Sequence, residues 1–344
     1  MCRDQRSRHE RKTGQGVRIA AYIGGLLGLA LLVTLVVRAD ITAIFLMLGA
    51  VGGQLLWLIP YRAVFYFLYA NGWLVLLAPY DRPRRERLGY LFWVTSVRDA
   101  IDRLLPVASV GGSIVGVRLM RWRGLDAASV SASVIVEILL TLIASYLFTF
   151  VGLFLLSDFG TAGHEYRRLL LAFVLSLPVP IITALLLRYG SVFERMQRLL
   201  RPFVRESAMS AAAVSLDREL RACLHRGRAL LAVGTLQFGA LISSTFEIWF
   251  ALRLFGHPVS VKSALILESL TQAVRHLAFV IPAGLGVQEA SLVIFGHVLG
   301  VSSELALAVS MAKRMREVLC GLPSLLSWQW LEGRRLQSLM RSSS

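Results

Sequence analysis

Apolar residues in this chain run in long blocks rather than in alternation. The blocks 19–37, 41–59, 129–156, 169–187, 229–252, 259–281 and 317–331 hold few or no charges. Most approach the roughly 20 residues an α-helix needs to cross a bilayer. Polar positions collect in the short segments between blocks. The pattern predicts an all-α polytopic integral membrane protein. The first block follows a charged head and precedes further blocks, so it reads as a start-transfer helix rather than a cleaved signal. The stretch Tyr61–Pro79 is aromatic and apolar but is interrupted by Asn71-Gly72. That interruption leaves it an interfacial or re-entrant piece, or a poor span.

Two stretches repeat one layout. Pro106 is followed eighteen positions later by Gly124, and Pro282 by Gly300. A glycine-broken apolar run fills each interval, containing Gly111 and Gly112 in the first copy and Gly284 and Gly286 in the second. A further apolar run then carries a single charge thirteen positions past the closing glycine, Glu137 or Lys313. Broken hydrophobic segments at matching places in two halves of a membrane protein point to a transport site. The expected organisation is a basic segment 1–18, a membrane half 19–187 with a re-entrant element at 106–124, and a basic connection 188–228. A second membrane half, 229–332, holds a re-entrant element at 282–300, and a tail follows at 333–344.

Charge orients these pieces. The net charge is +16 and only 17% of residues are charged, against about 25% in soluble domains. The cations fall between the apolar blocks, as the positive-inside rule requires, so nucleic acid is not the expected partner. Arg3, Arg6, Arg8, Arg11 and Lys12 hold the N-terminus in the cytoplasm. Arg82–Arg87, Arg118–Arg123, the connection 188–228 and Arg334–Arg341 follow it there. Gly300–Ser303 lacks basic residues and reads as an external turn. The two broken elements thus enter from opposite faces, giving an inverted-topology repeat with two re-entrant hairpins. The connection 188–228 is expected to carry an amphipathic helix on the membrane surface. Gly24-x-x-x-Gly28 and Gly49-x-x-x-Gly53 read as helix-packing sites. Cys2, Cys223 and Cys320 are too scattered for a disulfide framework or a metal site, and no cofactor is indicated.

Ionisable residues inside apolar blocks are costly and mark function or structural pairing. Arg98, Asp99, Asp102 and Arg103 offer i,i+4 relief as Arg98–Asp102 and Asp99–Arg103; the same spacing also fits a solvated interfacial face. Glu137 stands among Val134, Ile135, Val136 and Ile138, either as a site residue or as the partner of an Arg on another helix. Glu247 raises the same question. Glu268, Gln272, Arg275 and His276 share a helix face. In Pro282-Ala-Gly-Leu-Gly-Val-Gln-Glu289, glycines before a helix start suit a phosphate. Glu289 opposes that unless it pairs with Arg275 or Lys313. Arg314 or Lys313 is expected to face inward, while one or two cations of that helix snorkel.

The run IPAGLGVQEASLVIFGHVLGVSSELALAVSMAKRMREVL, residues 281–319, resembles the signature of the lysylphosphatidylglycerol synthase transmembrane (flippase-like) family through Pro282, Gly284, Gly286, Glu289 and Arg314. RLLPVASVGGSIVGVRLMRWRGL, residues 103–125, is similar to that family's first such element, and its context resembles the branch found with bacterial hopanoid-biosynthesis genes. The resemblance implies lipid handling in the bacterial inner membrane. Synthase activity would need a separate soluble aminoacyl-transferase domain, for which the chain leaves no room after its last helix. The expected function is a non-enzymatic lipid transporter acting on an anionic phospholipid or a hopanoid-type amphiphile. No G-x-x-x-x-G-K-[ST] loop is present, so uphill movement draws on an ion gradient or the membrane potential, with Glu137 or Glu289 as candidate proton carrier. A scaffold for lipid-synthesis enzymes and a membrane-embedded headgroup transferase are the alternatives.

Overall fold

The computed structural model describes residues 33–34, 41–80, 88–105, 111–157, 171, 173–176, 178–190, 207–278, 281 and 284–342. Among these residues the regular structure is helical, with no strand. Helix α1 (Ile41–Val51) runs through a 3-10 stretch, Gly52–Trp57, into α2 (Leu58–Leu77). Then come α3 (Leu88–Leu104), α4 (Gly111–Trp122), α5 (Ala127–Leu156), α6 (Pro178–Tyr189) and α7 (Ser207–Leu224). The chain ends with α8 (Gly227–Leu254), α9 (Val261–Leu277), α10 (Val287–Val298) and α11 (Ser303–Ser342). Thr42–Leu77, Ala127–Leu156 and Gly227–Leu254 are long and apolar enough to cross a membrane.

The expected chain breaks fall where the repeat places them. Helix α3 ends before Pro106 and α9 before Pro282; both prolines lie outside the described residues. In each copy a 17-residue helix is followed by a 12-residue one. Twelve residues extend about 18 Å, well short of a hydrocarbon core of about 30 Å. Each short helix ends at a glycine in the left-handed region, Gly124 at φ 88° and Gly300 at φ 78°, a conformation costly for other residues. Each is followed by a capped long helix. Asp126 accepts hydrogen bonds from the Ala128 and Ser129 N–H groups, and Ser302 Oγ accepts from Leu305 N–H at 3.3 Å.

Packing repeats as well. Helices α2 and α8 lie along each other at the centre, α3 packs on α11, and α9 packs on α5. Helix α1 lies against α11, and α7 against α5. One apolar core gathers Trp73, Leu91, Val97, Leu119, Val136 and Leu220 from α2 to α5 and α7. The other gathers Val51, Ile248, Leu267, Leu292, Leu305 and Val309 from α1 and α8 to α11. Across these cores, the first helix of each copy packs on the long helix of the other.

The two matching seams differ. At α3–α11, Gly321 lets Leu104 and Ala100 close in. Ser324 Oγ donates to Ser96 Oγ at 3.1 Å, and Trp93 Nε1 donates to Ser327 Oγ at 2.9 Å. At α5–α9 the position corresponding to Gly321 is Ser145, and it lines a cavity together with Ala273 and Leu277 of α9.

Several expectations need correction. Asn71-Gly72 does not interrupt anything. Asn71 Nδ2 donates to Phe67 O at 2.7 Å within α2, and Gly72 faces Val233 of α8, where a Cβ would lie 3.3 Å from its methyl. The glycine permits close approach of two central helices. Gly49 and Gly53, by contrast, would have nothing within 4 Å of an added Cβ among the described residues; the irregularity lies at Gly52, φ 50°. Gly24 and Gly28 are outside the described residues. Helix α7 is amphipathic, but it docks on protein: Asp217, Leu220, Cys223 and Leu224 are buried. Behind it, the Arg226 guanidinium donates to the Val75 and Leu76 carbonyls at 3.0 Å each, satisfying the end of α2. Helix α11 runs past residue 332 to Ser342 and through Pro323.

Gly152 of α5 is pressed against Ser269 of α9, where an added Cβ would overlap the hydroxyl, whereas Gly234 of α8 faces open space. Gly152→Ala is expected to lower thermal stability in detergent, the steric cost of about 1–3 kcal/mol outweighing the roughly 1 kcal/mol gain in helix propensity. Gly234→Ala is expected to raise it. Equal shifts in the two variants would show that the α5–α9 contact is loose.

Candidate functional site

Buried charge dominates the interior. Arg62, Arg98, Arg103, Arg275, Lys313, Arg314 and Arg316 stand with Asp99, Asp102, Glu137, Glu247, Glu268, Glu289 and Glu317 between the two cores. The seven cations match the seven carboxylates in number, so the set is neutral as a whole. An ionised group in hydrocarbon is tolerated when it faces the protein interior and is paired.

The first half holds one cluster. Asp99 of α3 accepts from Arg62 of α2, from Tyr66 Oη at 2.8 Å and from Arg103 Nε at 2.7 Å. Arg103 reaches on to Glu317 of α11 at 2.5 Å. Arg98 turns from its own helix to Glu137 of α5, Nη1 to Oε2 at 2.8 Å, and lies over the Trp73 ring at 4.7 Å. Asp102 accepts the Gly112 N–H at 2.9 Å, which caps the start of α4. Gly112 has no room for a Cβ, because the Arg98 carbonyl and the Asp102 carboxylate occupy that space. The expected Asp99–Arg103 pair is present. The expected Arg98–Asp102 pair is replaced, because α5 brings a carboxylate to Arg98 from across the fold.

In the second half, Lys313 of α11 pairs with Glu268 of α9 at 2.8 Å, and Gln272 Nε2 donates to the same carboxylate at 3.0 Å. Arg314 bonds Glu289 at 3.1 Å, Glu317 at 3.2 Å and the Gly284 carbonyl at 3.2 Å. Glu289 thus pairs with Arg314, not with Arg275 or Lys313. Arg316 faces Glu247 at 3.1 Å. Lys313 and Arg316 are buried and Arg314 is largely so, which leaves none of the three snorkelling. Arg275 donates to Gln288 Oε1 at 3.2 Å. Gly284 (φ 59°) and Gly286 (φ 73°) form the turn into α10.

The repeat extends to these contacts. Glu137 and Lys313 occupy equivalent positions on α5 and α11, and each bonds the preceding 17-residue helix of its own copy. The signs are reversed: carboxylate to Arg98 in the first copy, ammonium to Glu268 in the second. Arg275 lies within a turn of the position equivalent to Asp102, and each bonds the start of the short helix that follows, at Gln288 and Gly112.

Two cavities adjoin. One, of about 360 Å³, is lined by Tyr69, Thr95, Arg98, Asp99, Asp102, Ser113, Glu137 and Thr141. The other, of about 460 Å³, lies between α5 and α9 and is mostly apolar, with Leu153, Leu156, Leu270, Val274 and Phe295 among its walls. Leu142 and His276 line both. An ionic chamber thus opens beside an oily one.

Against protein-family models, residues 18–322 match the lysylphosphatidylglycerol synthase TM region. The chain belongs to this family. It is accordingly a multi-pass membrane protein with a lipid-related function. No curated protein and no solved structure matches it.

The expected site residues fall into two groups. Arg98, Asp99, Asp102 and Glu137 line the polar chamber, with Arg103 supporting Asp99. Glu268, Arg275, Glu289, Lys313 and Arg314 form the second cluster. Sequence reading missed Arg62. It is a lone cation in an apolar, aromatic run, the same signal that drew attention to Glu137.

Breaking one buried pair leaves its partner charged and alone. Lys313→Met is expected to destabilise the protein by about 3–5 kcal/mol, and adding Glu268→Gln to restore most of that. Chemical unfolding in detergent measures both; no recovery in the double variant would mean that Lys313 matters for something other than Glu268.

Proposed function

We propose that this protein is a flippase-type lipid transporter that carries the headgroup of an anionic phospholipid or hopanoid-type amphiphile between leaflets. The adjoining chambers are the observation that carries this reading. A headgroup needs ionic and hydrogen-bonding walls, and a chain needs an apolar one. Here the two kinds of wall meet at Leu142 and His276. A soluble metabolite would have no use for the second chamber.

The repeat supports the same reading. Equal helix lengths, matching glycine ends and exchanged helix packing are what an inverted duplication produces, and such duplications build transport sites near the bilayer midplane. In this reading α3–α4 and α9–α10 are re-entrant hairpins dipping from opposite leaflets. Irregular backbone at membrane depth is tolerated only where protein or a wet cavity covers it. Both termini lie on the cytoplasmic side of a bacterial inner membrane, where the positive-inside rule puts the basic segments. Enzymes that make the transported lipid are the natural suppliers.

Cysteine labelling tests the topology. In a background lacking native cysteines, Arg123→Cys and His297→Cys, both at exposed positions, are expected to react with impermeant maleimide from opposite faces of the membrane. Reaction from one face removes the inverted arrangement. Function is tested in proteoliposomes of phosphatidylethanolamine and phosphatidylglycerol with a trace of NBD-labelled phosphatidylglycerol, read by dithionite accessibility. Protein-dependent exchange between leaflets is expected, and it should slow in Glu137→Gln and in Arg314→Ala. Headgroup modification without exchange would instead favour a transferase; neither activity would favour a scaffold.

A further inference from the structure

Each carboxylate of the buried network except one faces a cation within ion-pair distance among the described residues. Asp99 has Arg62 and Arg103; Glu137 has Arg98; Glu289 has Arg314. Glu247, Glu268 and Glu317 are held by Arg316, Lys313 and Arg103. Asp102 has no such partner. Its hydrogen bond comes from a backbone N–H, that of Gly112, at 2.9 Å, and its side chain lines the polar chamber.

This difference decides which group can exchange a proton. Protonating Glu137 or Glu289, the carriers expected from sequence, would strand the Arg98 or Arg314 charge in a low-dielectric interior, the costly half of a broken buried pair. Protonating Asp102 breaks no ion pair, because Arg98 and Arg103 are already committed to Glu137 and Asp99. It neutralises a partly buried carboxylate and leaves the network one positive charge in excess, a smaller cost than a broken pair. The neighbours of Asp102 do not change this account. On its own helix, Arg98 is turned to Glu137, and Asp99 and Arg103 bind each other. Across the chamber stand Tyr69 of α2, Ser113 of α4, Glu137 of α5 and His276 of α9. From α11, Glu317 is engaged by Arg103 and Arg314.

We infer that Asp102 is the proton-carrying group of this protein, taking a proton from one side of the membrane and returning it to the other as lipid crosses. This rests on the transport reading above and adds its energy source. The balance is simple: a carboxylate plus a proton gives a neutral carboxylic acid in the chamber, and the reverse step restores the anion. The consequence for structure is local. The ionised carboxylate complements the positive end of α4 and holds Gly112 close; the neutral acid holds it less tightly. Proton binding is thereby coupled to the hold of α3 on the start of the short helix.

Asp102→Asn keeps a side-chain carbonyl for the Gly112 N–H, so it tests titration apart from folding. Two measurements are made on the full-length protein. In the NBD-phosphatidylglycerol proteoliposomes, an imposed pH gradient is expected to bias leaflet distribution in wild type and to lose that effect in Asp102→Asn. In purified protein, infrared titration is expected to show a carboxylic-acid stretch that is absent from Asp102→Asn and retained in His276→Gln. Lipid exchange indifferent to the gradient, a titrating band that survives Asp102→Asn, or a gradient effect lost in His276→Gln instead would each overturn the coupling while leaving transport in place. Absence of lipid exchange under every condition would overturn the transport reading and the coupling with it.

Discussion

Hydrocarbon does not solvate charge, and that constraint organises this protein. Bringing fourteen ionisable side chains between two apolar cores is tolerable only because carboxylates and cations are matched and most are within bonding distance of an opposite charge. The consequences reach the helix paths. Arg98 must find Glu137, so α3 and α5 stay in register; Lys313 must find Glu268, so α9 and α11 do the same. Arg103 and Glu317 tie the halves together. The ionic network contributes modestly to net stability. It fixes which surfaces may face each other, because any slip leaves a charge alone.

Periodic marks in the chain reported the architecture well. Gly124 and Gly300 marked the ends of both short helices, because a left-handed backbone leaves few other residues acceptable, and α3 and α9 end before Pro106 and Pro282. The charged positions of the site were legible one by one for a related reason: an isolated charge in an apolar run is conspicuous. The chain revealed the Asp99–Arg103 pair, and offered Glu137 an Arg on another helix, but it did not say which Arg. Arg98 has a suitable partner four residues on, and only the arrival of α5 makes Glu137 the better one. Local spacing offers every partner within a turn and none from across the fold.

Glycines show the same limit from the other side. Gly72 and Gly124 look alike in sequence, each set in or beside an apolar run. One sits inside an unbroken helix so that Val233 can approach; the other ends a helix in the left-handed region. The distinction lies in the neighbour and in the backbone angle, neither of which a residue name carries. Gly49-x-x-x-Gly53 meets no second helix within 4 Å among the described residues.

The two equivalent seams, one shut over Gly321 and one parted around Ser145, make the resting molecule lopsided. If lipid crosses as proposed above, an inverted duplication supplies a second lopsided form with the roles exchanged, facing the other leaflet. The halves need not be symmetric at any moment; they need only trade places. Under the transport reading proposed above, both states of the carrier come from a single duplication, and the unlike polar stitching of the seams biases which of them is occupied at rest.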